Sequence, residues 1–377
     1  MARRGSRRAV VVGAGVFGAS IADHLAASRW DVELVEQYQP GHVRQSSGGA
    51  SRLIRYSHGG DADHSRLAWR ARELWEGLEH DMGENLLVRS GVVWFNRDDG
   101  WVTDSARTLA DIGIPARMID TGELQRLFPS VGVSDLTGAL HEPQAGVLRA
   151  AVAVRALAAR AVRRGARLTL APAEPDGAGV IVGGRRRETD VVVWACGPWL
   201  PGIFPDLVRA EVTKQDVLFF GAGPEWATPG VPGWVDFDAA MYGCGDVDGL
   251  GFKAASDIDG ERFDPDRGER TPSPRAVSRA EAYLAHRFPA LAGAPIVFSR
   301  TCQYTSTADG RWIVAPHPEH DGVWLVGGGS GHGFKHGPAL AEYVGRLIDG
   351  SADPDPRFGL GPRHAGAALR THPGGMV

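Results

Sequence analysis

Two glycine-rich segments have the residue types to cradle a phosphate, and a few cations and one cysteine stand where they could act on whatever is bound. The first segment is Val10-Val11-Val12-Gly13-Ala14-Gly15-Val16-Phe17-Gly18, and the second is Val326-Gly327-Gly328-Gly329-Ser330-Gly331-His332-Gly333-Phe334-Lys335. Each is an apolar run ending in glycines, the pattern of a buried strand turning tightly into a helix. In the first, Gly13 permits the turn, Gly15 lets the backbone approach a pyrophosphate, and Gly18 allows close helix–strand packing. A helix starting at Val16 and Phe17 aims its amides and dipole at the phosphates. The next strand, residues 32–36, ends in Glu36, 23 residues after Gly13, where an acid binds ribose hydroxyls. An acid there disfavours a 2′-phosphate, so FAD or NAD is expected rather than NADP. The two segments together predict one nucleotide-binding domain assembled from both ends of the chain.

Other residues have two readings each. Arg52 and Arg55, three apart after the loop Ser46-Ser47-Gly48-Gly49, would share a face on a helix or tight loop and could clamp a carboxylate. By spacing alone, a surface arginine pair is the simpler reading. Lys253 lies in the strand-like run 249–255 and either faces solvent or points at a cofactor. Lys335 opens a helix after a glycine turn, where an anion site is natural. Cys302 alone reads as a small buried hydrophobe, Tyr242 and Tyr304 as core aromatics, and His332 as a structural histidine.

The elements that must hold these groups alternate strands with helices. Helices are expected near 67–78, 104–112, 121–127, 148–165, 276–287 and 338–348. The 148–165 helix turns Leu148, Val152, Val154, Leu157 and Val162 inward. Strands are expected near 91–95, 189–195, 216–220, 249–255 and 323–327, with an irregular tail from 351. A chain of 377 residues suggests two domains. We assign 1–82, 146–212 and 310–377 to a cofactor domain, and 83–145 and 213–309 to a substrate domain. The net charge of −4 gives no support for nucleic-acid binding. Three cysteines without CxxC spacing suggest neither a disulfide framework nor a metal site, and fit a reducing, cytoplasmic setting. The basic start, residues 1–8, imitates an export signal, but the apolar run behind it already serves as the first strand. No stretch approaches the roughly 20 apolar residues of a spanning helix, so no membrane association is expected.

In order and spacing, GAGVFG, SSGGASRLIR, ACGPW, GLGFK, TCQYTSTAD and GSGHGFK resemble the D-amino-acid-oxidase-type flavoproteins. Within them the chain is most similar to the monomeric sarcosine oxidase and N-methyltryptophan oxidase family, over about residues 9–350. The resemblance implies an α/β fold, α+β overall: a Rossmann-like FAD domain and a second domain built on an antiparallel sheet. It implies FAD held covalently through Cys302. It places Lys253 near flavin N5 to promote reaction with dioxygen, and Arg55 and Lys335 on the substrate carboxylate. Arg52 would face the flavin, Tyr242 and Tyr304 would line the active site with Trp234 in the same apolar wall, and His332 would lie in the loop over the flavin. Ser47, Cys196, Gly197, Trp199, Gly331, Gly333, Phe334 and Lys335 would contact the cofactor. The family also implies a monomer acting on a small amino or imino acid.

Two departures bear on the substrate. Asp257 stands where sarcosine oxidases have a histidine, and Gly48 and Gly49 stand where several have paired histidines. An acid there could receive a cationic or N–H-bearing group or take part in proton transfer. The expected activity is therefore oxidation of the C–N bond of a secondary or cyclic amino acid to an imine, with hydrogen peroxide. The alternatives are an imino acid oxidase or dehydrogenase that forms an aromatic ring in a natural-product pathway, a non-catalytic flavin-binding subunit, and an NAD-dependent dehydrogenase.

Overall fold

The computed structural model describes residues 7–97, 100–258 and 260–364. The tail beyond 364 and the basic start before Arg7 lie outside them. Among the described residues, no helix is long and apolar enough to cross a membrane.

A six-stranded sheet carries both glycine segments. Its order is Ile313–Pro316, Val323–Gly327, Val191–Trp194, Arg8–Val12, Asp31–Glu36 and Arg167–Leu170. Its strands are parallel except at the Ile313–Pro316 edge. The central strands are near-continuous Val and Leu because helices and loops cover both faces. Helix Val16–Ala27 packs between Ala150–Arg163 and Gly337–Ile348. Small residues permit this: a Cβ on Gly345 would meet His24 at 2.3 Å, and one on Gly337 would meet Val16 at 2.6 Å. The early glycine helix and the late one are thus in direct contact.

An eight-stranded sheet forms the second layer system. Its order is Ile296–Ser306, Glu211–Phe220, Phe252–Ser256, Met241–Cys244, Gly233–Asp236, Val92–Asn96, Gly138–Glu142 and Arg117–Ile119. Gly233–Asp236 and Val92–Asn96 run parallel, so the expected antiparallel sheet contains one parallel pairing. Strand alternation splits its side chains into two sets. Val93, Phe95, Leu218, Phe220, Trp234, Phe252 and Ala254 face a hydrophobic core closed by helix Pro274–Arg287. The register puts Trp94, Val235, Tyr242, Lys253, Cys302 and Tyr304 on the other face. This corrects the placement of Trp234. It stacks on Tyr283 and Phe252 in the core, and Trp94, one register step away, takes the site face.

Helical expectations hold in type and shift at the ends. The 67–78 helix extends over Ala62–Met82, where Asp61 caps it through the His64 amide and Gly83 ends it at φ +66°. The 148–165 helix begins at Ala150, because Leu148 belongs to strand Gly146–Arg149. Val162 is exposed rather than inward. A small meander, Ala173–Asp176, Gly179–Val182 and Arg185–Arg187, was not foreseen.

Candidate active site

The two glycine turns meet at one large cavity of about 690 Å³. Gly13 adopts φ +99°, and a Cβ there would lie 2.5 Å from the Ala195 carbonyl oxygen. A Cβ on Gly333 would lie 2.8 Å from the Phe17 ring and 2.9 Å from Gly329 Cα, so the two segments close on each other only as glycines. Gly13, Gly15, Val16, Phe17, Glu36, Ser47 and Arg52 line this cavity from the early part of the chain. Cys196, Gly197, Trp199, Cys302, Gly331, Gly333 and Phe334 line it from later parts. Gly18 does not line it. Its missing Cβ, 1.8 Å from the Gly13 oxygen, gives the helix–strand contact instead.

Glu36 does more than end a strand. It is buried, and its Oε2 accepts from the Ala14 amide at 2.8 Å and from Gln45 Nε2 at 2.9 Å. Burial pushes its carboxyl above the usual range. The glycine turn, the Glu36 carboxylate and the 45–47 loop are therefore one hydrogen-bonded unit. Ser47 Oγ accepts from the Val16 amide at 3.0 Å, while Ser46 Oγ is buried without a protein partner. A long cavity, two side-chain-free turns and an orphaned hydroxyl fit a bound dinucleotide such as FAD.

A smaller cavity of about 60 Å³ adjoins the first. Arg52, Tyr304, Gly331 and Phe334 line both. Arg55, Lys335, Asp257, Tyr242, His332 and Trp94 also line the smaller one. The shared wall marks where the end of a bound cofactor and a small substrate would face each other. Arg52 and Arg55 reach it from strand Ser51–Ile54 and its exit, not from a helix, so the helical-face reasoning fails. Arg52 lies within that strand and Arg55 directly follows its end at Ile54, and both line the smaller cavity. The Arg55 guanidinium lies 4.8 Å over the Trp94 ring and donates to Ser57 O at 2.6 Å.

Lys335 is 2% exposed and donates to His332 O at 3.0 Å. Burial, then Arg55, hold its ammonium well below the usual lysine range. A carboxylate between them would reverse that shift. Lys335 touches only the smaller cavity, which separates it from the large-cavity set. Tyr304 OH donates to Asp257 Oδ1 at 3.1 Å, and the Tyr242 and Tyr304 hydroxyls are 3.3 Å apart. His332 Nε2 lies 2.8 Å from Gly310 O.

Lys253 lines neither cavity. It sits behind Tyr242, with Nζ 3.3 Å from Ser51 O and 5.1 Å from the Tyr242 ring centre. Burial brings its pKa down to about 8. Cys302 receives a hydrogen bond from Arg52 Nη2 at 3.2 Å. Burial alone would push this thiol up, but the Arg52 and Arg300 charges outweigh it and hold the thiol below its usual value. A lowered thiol pKa is what a nucleophilic cysteine needs. Cys196 shows the contrast: burial pushes its thiol well up, with no nearby cation to offset it. All three cysteines are free. Sequence reasoning missed Gln45, Ser46 and Trp94. Trp94 lies inside the expected strand 91–95, but an all-apolar run carries no alternation that could assign it a face.

Comparison with known proteins agrees with this geometry. Residues 8–347 match the family DAO, FAD dependent oxidoreductase. The monomeric sarcosine oxidase of Streptomyces avermitilis is 32% identical, covering 95% of this chain and 98% of the relative. The N-methyl-L-tryptophan oxidase of Salmonella arizonae is 26% identical, covering 94% and 96%. The crystal structure of L-proline dehydrogenase from P. horikoshii superimposes with a TM-score of 0.82 at 22% identity, covering 93% and 95%. A glycine-built dinucleotide cavity opening onto a small cationic pocket, and matches along nearly the whole chain, establish that this protein belongs to the DAO family and is an FAD-dependent amine oxidoreductase.

Proposed function

We propose that the protein is an oxidase of a small secondary or cyclic amino acid, converting its C–N bond to an imine and dioxygen to hydrogen peroxide. The adjoining pocket carries the reading: it brings two basic side chains, Arg55 and Lys335, into one lining with the Asp257–Tyr304 pair. FAD held by the two glycine turns and the Glu36–Ser47 unit would supply the redox chemistry, a two-electron exchange between the substrate and dioxygen. The protein's part is to bind and orient. Arg55 and Lys335 grip the α-carboxylate, and Trp94 and Tyr242 limit the side chain. Asp257, held by the Tyr304 hydroxyl, accepts an N–H from the substrate amine. Lys253 supplies positive charge behind Tyr242 for the oxygen half-reaction. The cofactor domain would comprise 1–82, 146–212 and 310–377, and the substrate domain 83–145 and 213–309.

Asp257 favours one specific second reading. A carboxylate facing the amine suits a cyclic imino acid, whose ring N–H it can hold through successive oxidations towards an aromatic ring. Peroxide release and flavin reduction are to be measured with sarcosine, proline, pipecolate and piperideine carboxylate. The cyclic substrates should exceed sarcosine, and Asp257→Asn should cut their turnover more than that of sarcosine. Preference for sarcosine would reject the cyclic reading. Reduction by none of these amines would reject both.

Cys302 is proposed to hold the flavin through a thioether. After acid precipitation, yellow colour and ultraviolet fluorescence should stay with the wild-type polypeptide. Cys302→Ser should release the flavin to the supernatant. Release from the wild type would leave Cys302 a neighbour of the flavin and nothing more.

A further inference from the structure

Behind Lys335 lies a group of buried histidines that amine oxidation does not require. His58 is 1% exposed, His332 5% and His336 0%. One ring nitrogen from each lies within 4.8 Å of the others. The ring centres are 5.3 Å apart for His58 and His336, 6.1 Å for His58 and His332, and 6.1 Å for His332 and His336.

Hydrogen bonding fixes two of the tautomers. His58 Nδ1 lies 2.9 Å from Tyr56 O, and His332 Nε2 lies 2.8 Å from Gly310 O. A carbonyl oxygen only accepts, so these nitrogens carry the protons. The opposite nitrogens, His58 Nε2 and His332 Nδ1, are left with lone pairs. Both are buried without a hydrogen-bond partner, as are both nitrogens of His336. Leaving such groups buried and unsatisfied is costly, and a ligand that takes their lone pairs removes that cost. Backbone carbonyls that set the tautomer and orientation of an imidazole are the usual second layer of a metal site.

We propose that His58, His332 and His336 form a binding site for one transition-metal ion of the zinc class. Imidazole-only donors without thiolate suit zinc, copper or nickel rather than magnesium or calcium. Zinc–nitrogen bonds of about 2.0–2.1 Å set tetrahedral donors roughly 3.4 Å apart, so the rings must close by about 1 Å or slightly more. His332 borders the smaller cavity, which gives the ion its entry path. The Glu142 carboxylate, bonded to the Tyr56 and Ser57 amides just before His58, supplies compensating negative charge. Since His332 and His336 flank Lys335 in sequence, a bound ion would clamp the loop that carries this lysine.

The test uses the flavin-loaded enzyme, stripped with a chelator, exposed to excess Zn²⁺ and desalted, with metal measured by elemental analysis. The wild type should retain about one zinc per chain, as a three-histidine site implies. His58→Gln and His336→Gln should each retain less than about a tenth of that. His80→Gln, at an exposed position, should retain all of it. Should either site variant fail to fold, X-ray absorption of the zinc-loaded wild type must show three imidazole ligands. Absence of stoichiometric zinc in the wild type overturns the proposal. So does undiminished zinc in folded site variants, or a ligand shell without imidazoles.

Discussion

Lys253→Met is expected to slow reoxidation of the reduced enzyme by about 100- to 1000-fold while changing substrate-dependent reduction little, the scale seen when one preorganised electrostatic group is removed. The lysine is 2% exposed, on the site face of the eight-stranded sheet, and held by Ser51 behind Tyr242. A charge there works in a dry setting, where its effect on a developing anion is larger than in water. Its pH dependence has a definite sign. Burial lowers the lysine pKa to about 8, so the ammonium is present below that pH and is lost above it. Wild-type reoxidation should therefore fall as pH rises through about 8, and the Met variant should lose that dependence. Stopped-flow measurement of the two half-reactions checks both points. Equal losses in reduction and reoxidation would assign Lys253 a structural role.

Arg55→Met should raise KM for the amino acid by about 100-fold or more, since truncating one partner of a buried charge pair costs about 2–5 kcal/mol. Arg55 lines the small cavity and not the large one, so the flavin spectrum should be unchanged. The corresponding amino acid amide, which lacks the negative charge, separates the roles. If Arg55 grips a carboxylate, the variant should bind the amide about as well as the wild type does. A matching loss on the amide would show that Arg55 acts by shaping the pocket through its stacking on Trp94. Arg55→Lys is expected to restore binding only in part, because the flat fork over the indole is not reproduced by an ammonium.

Local chemistry was legible from sequence, and three-dimensional neighbourhood was not. Gly13, Gly15, Glu36 and the 331–334 turn announce themselves because a tight turn and a close backbone approach impose residue types at short range. Of these positions, all but His332 line the large cavity. Cys302, Lys253 and Lys335 needed the order of whole motifs, since each alone has a bland reading. Trp234 went to the wrong face because one step of strand register decides between core and site, and composition does not reveal the step. Arg52 and Arg55 were paired by a spacing suited to a helix or tight loop, whereas the first lies in a strand and the second just past its end. The histidine group joins residue 58 to residues 332 and 336, and no local pattern connects them.

The contact between the Phe17 ring and the missing side chains of Gly329 and Gly333 also sets an order of events during synthesis. Chains are made from the amino end, and early parts can fold while later parts are still within the ribosome. Here helix Val16–Ala27 can meet helix Ala150–Arg163 early, but it lacks its other neighbour until helix Gly337–Ile348 has been made. Flavin can be enclosed only once both glycine segments have been made, and any thioether at Cys302 becomes a late act of maturation rather than an early nucleus for folding.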